Sequence, residues 1–208
     1  VQFQLTICIV TVTFCTLGNF YFIDTPLSPV QMLWINIIMD SLGALALATD
    51  APDDNILKYR PYDGKLFNKM TIVNVVTQVL FQITLLFTAL LYGDVILGVP
   101  SDKELRHHMW NNVNGYQLTF IFNMFVFMQV FNLMNCRKCH SGEYNIFRGM
   151  FKNSIFLFVI SLIVGVQMIF VNFGGRVVRT QNLSWRLQGI SVGVAAIGIV
   201  IACIAKLC

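Results

Sequence analysis

Two oxygen-bearing side chains lie one helical turn apart in a strongly apolar stretch of the sequence. Asn36 and Asp40 occur in LWINIIMD, and Asp40 is followed by SLGALALA. Residues four apart on a helix are neighbours on one face, so the amide and the carboxylate are predicted to lie together. Calcium takes six to eight such oxygen ligands. The pair is therefore a candidate cation site, although the neighbouring Met39 offers only a soft thioether, which calcium does not favour.

The segments around this pair indicate a membrane protein. The 208 residues are 56% hydrophobic and 12% charged, whereas soluble domains carry about 25% charged residues. A bilayer core of about 30 Å needs about 20 apolar residues per helix. One domain over residues 1–208 is predicted, an all-α polytopic bundle of six transmembrane helices at 3–23, 30–49, 71–92, 116–134, 154–173 and 187–205. The net charge of +4 is small and spread out, so the expected partner is the lipid bilayer and not nucleic acid.

Lysine and arginine positions predict that both termini face the cytosol. In that orientation nine of the 14 Lys and Arg residues fall in inner loops and five in outer loops, as the positive-inside rule requires. Residue 1 is Val, and no signal peptide precedes the first span, so we expect a piece of a longer polypeptide.

Asp40 is the one acidic residue of the ten that lies deep within a predicted span. An acid there costs about 2.5–3.5 kcal/mol on insertion scales. Hydrogen bonds between membrane helices average only about 0.6 kcal/mol, which favours ion handling over a packing role. Gly43, Pro29 and Pro26 are expected to help break the helix and free backbone carbonyls as further ligands.

The remaining polar residues of the spans are interpreted as contacts between helices, which is the commoner role of neutral amides in membranes. These residues are Gln78, Gln82, Asn123, Gln129 and Asn132. The small-xxx-small pattern Gly189 to Gly193 predicts close contact between the last span and another helix.

The string CRKCH contains Cys136, Cys139 and His140 and matches the haem-attachment pattern C-x-x-C-H. It could also seed a zinc site, but zinc needs four ligands and only three cluster here. The predicted topology places this loop in the cytosol, which favours a basic membrane-edge loop whose cysteines are candidates for palmitoylation.

The string PVQMLWINIIMDSLGALALATDAP resembles the sixth transmembrane segment of P-type calcium ATPases. VQFQLT, FNMFVFMQVFN and FRGMFKN narrow the resemblance to the plasma-membrane, autoinhibited branch. The six spans would then be segments five to ten of the family's ten. The resemblance implies that Asn36 and Asp40 coordinate calcium and that Met39 replaces a liganding Thr of the endoplasmic-reticulum pumps.

The resemblance also extends to the neighbouring segments. Gln129 occupies the segment-eight position where the reticulum pumps have Glu, and Thr11 stands where they place a segment-five Glu. Cys8 replaces the branch's usual Asn, which removes an expected polar group beside the site.

By this resemblance, the chain is the membrane portion of an ATP-driven pump that exports one calcium ion per cycle. The plasma membrane is the expected location, with vacuolar or other internal membranes as alternatives. ATP and magnesium would act through domains that carry the family's DKTG motif, which is absent from this sequence, so no catalytic residue is expected here. The implied partners are segments one to four, the cytosolic domains and, for the full-length protein, calmodulin.

Two alternatives to this function stay open. One is a truncated, non-catalytic membrane module that associates with or regulates a full-length pump. The other is a pump of the same fold for another cation, which the substitution at Cys8 encourages.

Overall fold

The computed structural model describes residues 1–21, 26–49, 69–97, 115–137 and 153–205. Within these ranges the chain forms helices and no β-strand. The α-helices are α1 (Gln2–Tyr21), α2 (Pro29–Asn36), α3 (Gly43–Ala48), α4 (Lys69–Leu97), α5 (Gly115–Cys136), α6 (Ser154–Phe173), α7 (Gly175–Val178) and α8 (Trp185–Ala205). A π-helical segment, Ile37–Leu42, joins α2 to α3.

Five helices in the described part of the chain are long and apolar enough to cross a bilayer, namely α1, α4, α5, α6 and α8. The second predicted span consists instead of α2, the π segment and α3, which follow one another without a gap from Pro29 to Ala48. The prediction of an all-α polytopic membrane bundle is confirmed. The 29 residues of α4 extend about 43 Å, which exceeds the hydrocarbon core of about 30 Å.

Helix α5 lies at the centre of the bundle. It packs against α8, α4, α6 and α1, and most of its residues are buried. The other long helices each present an apolar face outward, as shown by Phe20 on α1, Phe158 on α6 and Val200 on α8. Apolar side chains on the outside are expected for a bundle that lipid surrounds.

Contacts between helix ends establish which ends lie together. Asn153 Nδ2 donates to the Thr49 carbonyl at 3.1 Å at one end of the bundle. Ser28 Oγ donates to the Val178 carbonyl at 3.4 Å at the opposite end. We name these the inner end and the outer end, respectively, after the orientation that the Lys and Arg distribution predicts.

Residues 26–28 lead into α2 at the outer end. Ser28 and Gln31 form a capping box, in which Gln31 N–H donates to Ser28 Oγ at 3.3 Å and Ser28 N–H donates to Gln31 Oε1 at 2.9 Å. Pro29 occupies the first turn of α2, where its missing N–H costs nothing. Gly18 lets α1 approach Pro26, because a Cβ at Gly18 would lie 2.6 Å from that ring. Pro29 therefore begins the helix and Pro26 lies before it, so the expectation that the two prolines help to break the helix is wrong.

Two contacts set the register of the antiparallel pair formed by α1 and the second span. The Cys15 thiol donates to Met32 Sδ at 3.6 Å. Nearer the inner end, a Cβ at Gly43 would lie 2.6 Å from the Phe3 ring, so Gly43 permits close helix contact. Because both helices rise about 1.5 Å per residue, residue 11 lies level with residue 36.

The glycine pattern of the last span does not make the predicted helix contact within the described residues. A Cβ at Gly189 or Gly193 would meet no atom within 4 Å, and both residues are exposed. Gly198 provides the close contact instead, since its Cβ would lie 3.1 Å from Phe81 of α4. Cys139, His140 and the loop 50–68 lie outside the described residues.

Candidate intramembrane cation site

The backbone between Asn36 and Gly43 departs from α-helical geometry. Residues Ile37–Leu42, which include Met39 and Asp40, form a π-helical turn with α-helix on both sides. Such turns insert an extra residue into a helix and are frequent at functional sites. The sequence therefore predicted the position of the distortion, but the helix is widened there and not broken. The side chain of Asp40 lies outside the described part of the structure.

Asn36 is the last residue of α2 and its side chain is exposed on the surface of the bundle. Two residues earlier in α2, Trp34 holds this helix against α6, because its Nε1–H donates to Gln167 Oε1 at 3.3 Å. An exposed amide near the middle of an apolar span is unfavourable in lipid. Lipid would leave the hydrogen-bonding groups of this amide unsatisfied.

The two predicted residues of α1 differ in their surroundings. Thr11 Oγ1 is buried and has no hydrogen-bond partner among the described residues. It lies level with Asn36 in the register of the antiparallel pair. Cys8 is exposed on the outward side of α1, next to the inward-facing Ile7. Thr11 can offer an oxygen within the bundle, whereas the Cys8 thiol faces its exterior.

Gln129 of α5 is held by an amide that the sequence did not single out as part of a site. Its Nε2 donates to Gln82 Oε1 of α4 at 2.7 Å. The side chains of Gln129 and Gln82 are 0% and 1% exposed, respectively. Gln129 Oε1 and Gln82 Nε2 are both without a partner in the described part of the chain. Gln82 thus orients the Gln129 amide and leaves its carbonyl oxygen available as an acceptor.

A regular spacing of amides in the sequence could have drawn attention to Gln82. Asn74, Gln78 and Gln82 recur at four-residue intervals in α4, which places three amides along one side of the helix. What the sequence could not reveal is that Gln82 bonds to Gln129, whereas Gln78 Nε2 donates to the Gly198 carbonyl of α8 at 3.0 Å.

The predicted ligands outside the π segment lie in one layer of the bundle. Helices α1 and α4 run in the same direction, and the rings of Phe14 and Phe87 meet with centroids 5.5 Å apart. Thr11 is therefore within about one turn of Gln82 along the membrane normal. No hydrogen bond joins Asn36, Thr11 and Gln129 among the described residues, so the structure brings these groups to one level without connecting them.

Two further amides extend the unpaired group toward the inner end. Asn132 Nδ2 on α5 and Asn74 Oδ1 on α4 are buried and have no partner within the described ranges. We name Asn74, Gln82, Gln129 and Asn132 the α4–α5 amide seam. An unpaired buried polar group costs about 1–3 kcal/mol. Four would cost about 4–12 kcal/mol, which is comparable with the entire stability of a typical protein, about 5–15 kcal/mol.

In a second polar group, nearer the outer end, both amide atoms of Gln167 and of Asn123 are bonded to protein groups, whereas Gln188 Oε1 on α8 is buried without a partner in the described part of the chain. Gln167 Oε1 accepts from Trp34, while Gln167 Nε2 donates to Asn123 Oδ1 at 3.3 Å. Asn123 Nδ2 donates to Ser191 Oγ at 2.7 Å, and Ser191 Oγ donates to the Gln188 carbonyl at 2.7 Å. This outer amide chain joins α2, α6, α5 and α8. The interpretation of Asn123 as a contact between helices is therefore confirmed.

Of the motif CRKCH, only Cys136 and Arg137 lie in the described part of the structure. Cys136 is buried at the end of α5, and its thiol donates to Asn132 Oδ1 at 3.7 Å. The Arg137 guanidinium lies 5.3 Å from the centre of the Phe156 ring. Within the described residues, no three His, Cys, Asp or Glu side chains cluster as a metal site. The interpretations of this motif remain predictions.

Comparison with known proteins identifies relatives for most of the chain. Residues 24–208 match the family described as cation transporting ATPase, C-terminus. The chain is 38% identical over 185 residues to plasma membrane calcium-transporting ATPase 3 of Rattus norvegicus and of Homo sapiens. It is 39% identical over 184 residues to plasma membrane calcium-transporting ATPase 2 of Oreochromis mossambicus. Each match covers 88% of this chain but only 14%, 15% and 16%, respectively, of those proteins.

Proposed function

The chain belongs to the family of cation-transporting ATPase C-terminal regions, and we propose that it is part of the membrane domain of an ATP-driven calcium pump. The observation that carries the proposal is its identity of 38–39% over 88% of its length to plasma membrane calcium-transporting ATPases. Family membership confirms the resemblance that the segment around Asn36 and Asp40 indicated. The pump would export calcium from the cytosol across the plasma membrane.

Within this pump, the chain would contribute part of the ion-binding site. Asp40 supplies a carboxylate and Asn36 an amide oxygen, both from the second span. Thr11 Oγ1 and Gln129 Oε1 are buried acceptors without partners among the described residues, which supports a role for them in the same layer. Together these oxygens are fewer than the six to eight that calcium takes. The site would therefore need further ligands.

The missing ligands are expected from the remainder of a longer polypeptide. Asn36 is exposed in this structure, as it would be if another membrane segment covered it in the complete pump. The curated relatives are about seven times longer than their match to this chain, which covers 14–16% of their length. Phosphorylation by ATP, with magnesium, would take place in those other parts. Calcium is the transported substrate in this scheme and not a resident cofactor.

The proposal is tested by measuring ATP hydrolysis by the longer polypeptide that carries these residues, purified and reconstituted in liposomes. Micromolar calcium should stimulate hydrolysis and accumulate inside the vesicles, whereas manganese, zinc or sodium at matched concentrations should do neither. Stimulation by another cation alone would support the same fold serving a different ion. Absence of any cation-stimulated hydrolysis would support a non-catalytic module and contradict the pump.

A further inference from the structure

Hydrogen bonds join the second span to α6 on both sides of the π segment. On the outer side, Trp34 Nε1 donates to Gln167 Oε1 at 3.3 Å. On the inner side, Asn153 Nδ2 donates to the Thr49 carbonyl at 3.1 Å. The segment Ile37–Leu42 lies between these two attachment points. The two bonds therefore fix both ends of the stretch that carries the candidate ion-binding residues.

The attachment points are spaced differently along the two helical elements. They are 15 residues apart in the second span, from Trp34 to Thr49, and 14 residues apart in α6, from Asn153 to Gln167. The difference matches the one extra residue that a π turn inserts. If the turn closed to α-helical geometry, α3 would rotate by about 100° and advance by about 1.5 Å relative to α2.

The contacts of α3 show which rotation the π turn gives it. Ala46 is buried, and a Cβ at Gly43 would lie 2.6 Å from the Phe3 ring. A rotation of about 100° would carry both residues out of these contacts. Thr49 caps the C-terminus of α3, where the last carbonyls of a helix lack partners within the helix. Asn153 donates to one of these carbonyls and so holds the end of α3 against α6.

Asn153 uses its two amide atoms for different contacts. Its Oδ1 accepts from the Phe156 N–H at 3.1 Å and caps α6, whereas its Nδ2 donates to the Thr49 carbonyl. Ser and Asp cap helices about as well as Asn does. The cap alone therefore does not require an amide nitrogen, and the two contacts can be separated by substitution.

We propose that Asn153 is a positioning residue for the candidate ion site, because its bond to Thr49 holds α3 in the register that keeps Ile37–Leu42 in π geometry. Asp40 belongs to this segment and Asn36 precedes it directly, so their relative placement depends on the turn. Loss of the bond lets the segment exchange between π and α geometry and weakens cation binding. The effect on calcium rests on the proposed function, whereas the effect on backbone geometry does not.

The structural effect is tested by solid-state NMR of the full-length protein in lipid bilayers, labelled with ¹³C′-Met and ¹⁵N-Asp. Met39–Asp40 is the one Met–Asp pair in this chain, and its signal is assigned by its loss in Met39→Leu. Asn153→Ser retains a cap but lacks the donor, so the signal should shift by more than its linewidth or divide into two. Ser154→Ala, at the exposed first residue of α6, should leave it unchanged. An unchanged signal in Asn153→Ser would overturn the proposal.

The functional effect is tested by calcium-stimulated ATP hydrolysis. The calcium concentration for half-maximal activity should rise roughly fivefold in both Asn153→Ser and Asn153→Asp, equivalent to about 1 kcal/mol. The maximal rate and the unfolding temperature should stay near the parental values, because water can satisfy the Thr49 carbonyl at the end of the bundle. Ser154→Asp adds the same charge one residue away without removing the donor, and should retain the parental calcium dependence.

Two negative results have different meanings. Parental calcium dependence in both Asn153 variants would overturn the positioning role. A parent protein without calcium-stimulated hydrolysis would contradict the proposed function instead, and the Met39–Asp40 signal would then still decide whether Asn153 maintains the π turn.

Discussion

The outer amide chain and the α4–α5 amide seam contain the same kinds of side chain at the same depth of burial, yet their bonding differs. In the outer chain, Asn123 donates to Ser191 and accepts from Gln167, and this completes a connection across four helical elements. In the seam, Gln82 and Gln129 share one hydrogen bond and retain an unused atom each. The comparison indicates that buried membrane amides hold helices together where they are paired and retain unused hydrogen-bonding capacity where they are not.

The largest expected effect is the loss of calcium uptake when Asp40 is replaced. This residue lies in the same span as Trp34, which belongs to the outer chain. Asp40→Asn keeps the size of the side chain but removes its charge, and charges 4 Å apart interact by about 4 kcal/mol at an effective dielectric constant of 20. We expect calcium uptake by reconstituted vesicles to fall at least about a hundredfold. Ser41→Ala, at the next position of the π segment, is the control. Uptake by Asp40→Asn within twofold of the parent would exclude a charge requirement at this residue.

Breaking the outer chain should affect stability rather than ion binding. Asn123→Leu leaves the buried Gln167 Nε2 without its acceptor, and such a group costs about 2 kcal/mol. Thermal unfolding followed by tryptophan fluorescence should show this loss, while the calcium concentration for half-maximal ATPase activity changes less than about twofold. Asn19→Leu, at an exposed amide of α1, should leave unfolding unchanged. If Asn123→Leu instead changed the calcium dependence strongly and left stability normal, Asn123 would belong to the ion site.

At Gln129 of the seam, a substitution should change calcium dependence more than stability. Gln129→Met removes the unpaired carbonyl oxygen, and we expect the calcium concentration for half-maximal activity to rise roughly fivefold, about 1 kcal/mol. Gln82→Met should produce a smaller rise, since it removes only the group that orients Gln129. Gln129→Glu, which restores an oxygen, is the matched variant. Gln129→Glu should therefore stay near the parental value, and parental calcium dependence in Gln129→Met would show that Gln129 is not a ligand.

The smallest expected effect is at Gln78, which lies one turn from Gln82 but is bonded to the Gly198 carbonyl. Hydrogen bonds between membrane helices average about 0.6 kcal/mol. Gln78→Met should therefore lower the free energy of unfolding by about this amount and leave calcium dependence unchanged. A fivefold change in calcium dependence would instead extend the ion site along α4.

Much of the fold could be predicted from the sequence because helix length and helix ends are local properties. About 20 apolar residues are required to cross a bilayer, and Ser28 and Asn153 supply side-chain caps where α2 and α6 begin. Gly43 and Asp40 also drew attention to the segment that forms the π turn. Within the candidate site, the sequence singled out Gln129 by family resemblance but ranked Gln82 only as a contact between helices.

Other features were decided by the tertiary structure. The sequence did not predict that α5 is central, that Gly189 and Gly193 face outward, or that Gln82 bonds to Gln129 while Gln78 bonds to α8. In water, an apolar face marks the core, because exposing it is unfavourable. Lipid tails are as apolar as leucine, so the sequence alone does not distinguish a side chain that faces lipid from one that faces another helix. The sequence by itself determined that the chain spans the membrane and predicted an acid within its second span, and helix packing decided which polar groups found partners.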